Sequence, residues 1–153
     1  MTRSYKQELE LVRSEYETTA FALSHLIGSW NRGTVIQEVG ERSLADFQRA
    51  SLHLEVTYIV RLFATFEGLL KLYLNDHHKE ITPPHNPKVG WFVDFAARKQ
   101  SPPVSVHLKA GVNKVRDCRN DLMHTGRITF PSITFEVALS NLGKFLDKLP
   151  PPR

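Results

Sequence analysis

The stretch from about Ser43 to Asn75 constrains the fold more than any other part of the chain. Leu52, Val56, Ile59, Phe63, Phe66, Leu70 and Tyr73 recur at steps of three and four, the spacing that puts side chains on one face of an α-helix. Leu54, Tyr58, Leu62, Leu69 and Leu72 widen that face. A helix apolar over so much of its circumference must be covered on several sides, and so belongs at the centre of a helical bundle. Ser43, followed by Leu44, Ala45 and Asp46, suits an N-cap with an acidic side chain in the first turn. The polar run Asp76-His77-His78-Lys79 marks the far end, and Pro83-Pro84-His85-Asn86-Pro87 blocks any continuation.

The remaining segments supply the cover. From about Ser4 to Trp30, Leu9, Val12, Tyr16, Ala20, Leu23, Ile27 and Trp30 make one apolar stripe, and Asn31-Arg32-Gly33 reads as its end. A shorter helix is expected over Gly90 to Lys99, with Trp91, Phe92, Phe95 and Ala96 turned inward. Ser101-Pro102-Pro103 stops it and starts a fourth helix over Val104 to His124, with Gly126 just past its end. Thr125 to Phe130 suits extended backbone. Ser132 is the expected cap of a last helix carrying Phe135, Leu139, Leu142, Phe145 and Leu149, which Pro150-Pro151-Pro152 ends. The fold expected is all-α, an up-and-down bundle of four to five helices in a single domain over residues 1–153. That length buries a core without disulfides or metals.

Composition narrows the function classes. Hydrophobic residues at 41% and charged residues at 24% are ordinary for a folded globular protein. The apolar runs are short and broken by charges, so no membrane partner is expected. Residues 1–8 lack the apolar run of a secretory signal, and the lone Cys118 offers neither an internal disulfide nor a cysteine-based zinc site. A reducing cytoplasm is the expected location. The net charge of +4 suits an anionic partner such as RNA, but where the basic residues sit matters more than their sum.

The fourth helix carries the residues with chemical potential. At about 100° per residue, and with Arg119 as zero, Leu108, Val112, Val115, Cys118 and Leu122 fall in the arc from about 260° through zero to about 20°. Arg116, Asn120, His124 and Asp117 fall between about 60° and 160°. Arg119 therefore emerges at the apolar side, beside a polar strip on which Asn120 and His124 are an i, i+4 pair. A guanidinium in that position calls for a partner, because burying it unpaired is expensive. One reading gives it a structural partner: a carboxylate such as Glu67 or Asp121 holds Arg119, and His124 merely favours the helix C-terminus through the dipole.

The order of these residues supports a second reading. Arg119-Asn120, three intervening residues and His124-Thr125-Gly126, after a long Phe- and Leu-rich helix, resembles the Arg-x4–6-His motif of the HEPN superfamily. Asn120 stands where that family often has a polar residue after the arginine. Tyr58 to Leu70 is similar to the family's preceding long helix. The resemblance implies a metal-independent endoribonuclease with no cofactor, of the kind found in toxin–antitoxin pairs and anti-phage defence. It implies a homodimer with the active site at the interface, RNA as substrate, and an antitoxin or effector as possible partner. Arg119, His124 and Asn120 would then be catalytic and Glu67, Asp121 and Arg116 supporting, with Glu67 holding Arg119 or Arg116. Lys114, Arg116 and Arg127, with Lys109 nearby, would extend a basic surface for RNA. The alternative is a non-catalytic HEPN-like helical module that binds a nucleotide, RNA or a partner protein.

The chemistry needs only the residues named. Cleavage of RNA without metal requires a base for the 2′-hydroxyl proton and a cation for the charge growing on the phosphate. A histidine with an ordinary pKa near 6.5 exchanges protons at neutral pH. An arginine presents planar, permanently charged donors that match phosphate oxygens. His77, His78 and His85 invite a metal reading, but no acidic or cysteine ligands accompany them at a recognised spacing. His25, His53 and His107 lie singly in helical patterns, and Cys118 falls on the apolar arc as a small hydrophobe. The sequence has no Gly-rich phosphate loop, nucleophile elbow or HExxH motif.

Overall fold

The computed structural model describes residues 4–31, 43–124 and 131–153. Within them, α2 (Leu44–His77) is the axis of a five-helix bundle. The others are α1 (Tyr5–Asn31), α3 (Val89–Lys99), α4 (Val106–His124) and α5 (Phe135–Leu146), and each of them packs on α2. The all-α bundle expected from the apolar periodicity is thus the fold. No described helix is long and apolar enough to cross a membrane.

Burial along α2 follows the sequence stripe through its C-terminal two-thirds. Ile59, Leu62, Phe63, Phe66, Leu69, Leu70, Tyr73 and Leu74 are all buried. Contacts fix the directions of its neighbours. Tyr5 meets Tyr73, Tyr16 meets Tyr58 and Trp30 meets Phe47, so α1 runs antiparallel to α2. The Phe135 amide donates to Glu55 Oε1 at 2.8 Å, while Phe145 sits edge-on to Phe66 at 5.8 Å, so α5 runs parallel to α2. Toward the N-terminal end of α2 burial is uneven, with Ser29 and Phe47 buried. Leu23, Ile27, Trp30 and Val56 are only half-buried there, Leu52 is 52% exposed and Phe21 is 75% exposed.

The helix ends differ from expectation by small amounts with identifiable causes. Asp46 Oδ2 accepts from both the backbone amide and the hydroxyl of Ser43 at 2.9 Å, which fixes the start of α2 as expected. At the start of α4 the chain stays extended for two further residues. Val104 is buried and its amide donates back to the Ala97 carbonyl, so the helix begins at Val106, with Ser105 Oγ accepting from the Leu108 amide. Ser132 does not cap the last helix. Thr134 does, its hydroxyl accepting from the Val137 amide, because it directly precedes the buried Phe135. In α3, Phe92, Phe95 and Ala96 are buried as expected, together with Val93 and Ala97, whereas Trp91 is only partly covered. The expected extended stretch Thr125 to Phe130, the Arg32-Gly33 helix end and Gly126 lie outside the described residues.

One core polar group is unsatisfied. Tyr5 is 2% exposed, and its hydroxyl has no hydrogen-bond partner among the described residues. Burial first, then the nearby Asp76 and Tyr73, pushes its pKa up to about 12 from 10.0. The buried phenol therefore resists ionisation that the unfolded chain undergoes near pH 10. Its contribution is fully present below that pH and is lost as pH rises toward 12. Tyr5→Phe should keep or raise stability at pH 7, by up to about 1 kcal/mol, and should flatten the alkaline fall seen in urea titrations of the wild type. Phe66→Ala, which empties a fully buried site between Phe63 and Phe145, should cost about 3–5 kcal/mol in the same assay.

Candidate functional site

The site is a groove where α4 meets α2 and the start of α3. Val112, Val115 and Cys118 are buried and Leu108 and Leu122 partly so, which is the phase expected from the sequence. Because Arg119 lies within that arc, its stem goes down beside α2 and its guanidinium comes up against Phe63. The guanidinium carbon stands 5.9 Å from the Phe63 ring centroid, and Nη1 donates to Asn120 Oδ1 at 3.0 Å. No carboxylate among the described residues lies within ion-pair distance of it. Among the described residues, a cation–π contact and one amide bond leave most of its donors without a partner.

Arg116, one turn earlier, turns toward α3. Its Nε and Nη2 both donate to Asp117 Oδ1 at 3.2 Å. Its Nη1 lies 3.4 Å from where a Cβ on Gly90 would stand, so the guanidinium rests beside the first turn of α3. Phe63 and Glu67 from α2, Pro87 to Trp91, and Arg116, Asp117, Arg119 and Asn120 enclose a groove of about 670 Å³. Asn86, in the left-handed conformation that asparagine tolerates, turns the chain just before Pro87 and Lys88 reach the rim.

Several expected contacts are absent or differ. Glu67 lines the groove but pairs with Lys71 at 2.8 Å on its own helix, and so holds neither Arg119 nor Arg116. An i, i+4 partner one turn away is simply nearer than the facing helix. Asp121 is exposed and makes no ion pair with Arg119. Lys114 is not on the Arg116 flank. It lines a separate, smaller cleft between α4 and α5 with His107, Asn141 and Lys144, because 114 and 116 are about 200° apart around the helix. Lys109 is engaged with Asp94 of α3. Arg127 lies outside the described residues, as does the ring of His124. Position 124 itself is the last of α4, about one turn beyond Asn120 and about 7.5 Å along the axis from Arg119.

The groove also holds residues the sequence did not single out. Lys88, Gly90 and Trp91 come from a segment whose proline-rich approach reads only as a loop and a helix start. The available signal was Trp91 and Phe95, one turn apart, of which only Phe95 is buried. The histidines of the polar run have other occupations. His77 stacks on Tyr73 and bonds the Pro151 carbonyl, His78 bonds the Tyr73 hydroxyl, and His85 is exposed beside Asn86.

No family model, curated protein or solved structure matches the chain. A double-mutant cycle separates the observed pairing from the expected one. Glu67 and Lys71 should couple by about 0.3–0.5 kcal/mol, whereas Glu67 and Arg119 should show no coupling within error.

Proposed function

We propose that this chain is a HEPN-type, metal-independent endoribonuclease whose reacting groups are Arg119, Asn120 and His124. The observation that carries the reading is the Arg119 guanidinium. It is half-buried, bonded to Asn120, without a carboxylate among the described residues, and opens on a groove large enough for part of a nucleotide chain. A structural arginine at that depth would be expected to hold a carboxylate, and the two that line the groove, Glu67 and Asp117, are engaged with Lys71 and Arg116.

In this mechanism His124 removes the 2′-hydroxyl proton and the 2′-oxygen attacks phosphorus. The bond from phosphorus to the 5′-oxygen breaks, leaving a 2′,3′-cyclic phosphate, and the departing 5′-oxygen takes a proton from solvent to become a hydroxyl. Arg119 stabilises the charge that builds on the non-bridging oxygens. Asn120 holds the guanidinium fork through Oδ1.

A second copy of the chain would face the strip of α4 that carries Asn120 and position 124, giving an isologous dimer with paired sites. Met123, an apolar side chain 57% exposed in that region of the helix, supports such a contact. The toxin or anti-phage setting, and an antitoxin or effector partner, follow from the family resemblance alone.

RNA cleavage in EDTA is the test. Arg119→Ala and His124→Ala should each lower the rate at least about a hundredfold. Arg119→Ala should lower stability by only about 0.5–2 kcal/mol, through the lost Phe63 and Asn120 contacts, and leave the protein folded in urea titrations. Full cleavage by both variants would sink the proposal.

A further inference from the structure

We infer that the α3 side of the groove is a nucleotide-binding subsite, in which Trp91 stacks a base and Arg116, with Lys88, holds a phosphate of the same single strand. The inference rests on the ribonuclease reading for its choice of ligand, and extends it from the reacting groups to substrate recognition.

Three observations lead to it. The first is electrostatic. Among the described residues, Lys88, Arg116 and Arg119 line the groove against two carboxylates, and both are already engaged, Glu67 by Lys71 and Asp117 by Arg116. Lys88 and Arg119 have no ion-pair partner among the described residues, and α3 contributes no acidic side chain in its first turn. An anion is what this lining lacks. The second is geometric. Asp117 takes Nε and Nη2 of Arg116, which leaves Nη1 over Gly90, inside the groove. Arg116 and Arg119 are one turn apart, about 4.5 Å along the axis, so a bound strand meets both.

The third is aromatic. Trp91 lies stacked on Phe95, with centroids 5.3 Å apart and planes 18° apart, and edge-on to Phe92. Those contacts fix the indole and cover part of it, while the accessible part lines the groove beside Pro87. A rigid, partly exposed aromatic next to unneutralised cations is the combination that binds single-stranded nucleic acid: stacking for the base, charge for the backbone. The volume, about 670 Å³, lies within the range of pockets that enclose small organic ligands.

The experiment uses the full chain with Trp30→Phe, so that Trp91 is the sole tryptophan. The probe is a short 2′-O-methyl oligonucleotide, which the proposed reaction does not cleave. Its titration should change the Trp91 emission saturably. Arg116→Gln should weaken binding about tenfold and reduce the dependence on log salt by about one. Trp91→Leu, followed by anisotropy of a labelled probe, should also weaken binding about tenfold but leave the salt slope unchanged. Thermal melts check that each variant folds. Should Trp91→Leu not fold, the emission change and Arg116→Gln decide.

An unchanged emission, or an Arg116→Gln affinity within twofold of the parent, overturns the inference. So does displacement of the probe by inorganic phosphate as readily as by a nucleoside monophosphate, which would leave no base subsite. The two proposals fail separately. Binding as expected with no cleavage of natural RNA removes the ribonuclease and keeps the subsite, whereas cleavage without the Trp91 response does the reverse.

Discussion

Most of this structure depends on the demand that α2 be covered. Its aromatic and aliphatic side chains project around much of the helix, and leaving them in water would forfeit about 1.5–3 kcal/mol for each large residue. Four other helices pack on it. The connections are then free to vary, provided that α1 returns antiparallel, α5 runs parallel, and α3 and α4 close the remaining side. Phe66 shows the consequence at one position: it touches Phe63 on its own helix and Phe145 on α5, and is fully buried.

The groove arises from the same demand. α4 must bury Val112, Val115 and Cys118, and that rotation also brings Arg119 to the edge of the core. Phe63, an α2 core residue, supplies the ring beneath the guanidinium. α3 is short and begins beside Arg116, so it walls the groove without filling it. A charged side chain at a core boundary is thereby kept in reach of solvent while most of its neighbours are fixed by packing. Such preorganisation suits recognition of an anion, because the donors need not be rearranged when it arrives.

The helices were legible in the sequence because their apolar periods are long and uninterrupted. The central place of α2, the inward arc of α4 and the buried face of α5 all follow from that spacing. Side-chain pairing was less legible. Glu67 and Arg119 were plausible partners on facing helices, but Lys71 lies one turn from Glu67, and local geometry outweighs a longer reach between helices. Thr134 displaced Ser132 as cap because the exact residue at which burial begins selects the N-cap. Lys88 and Trp91 were not apparent, since a groove formed by three non-adjacent segments has no period in any one of them. The helical phase of Arg119 and Asn120 could be read in advance; the surface facing them could not.

Apolar burial is uneven along the described α1–α2 hairpin, and this divides it mechanically. Among the described residues Phe21 and Leu52, toward the end where α2 begins, are exposed while Phe63, Phe66 and Leu70 in the body are buried, so that end has less apolar burial to lose on opening. Phe63 is about two turns beyond Val56, within the part clamped by α5. The hairpin end is therefore expected to open at lower free energy than the part that carries the groove. Amide exchange would divide α2 in two, fast toward Leu44 and slow from Ile59 onward, within one unbroken helix.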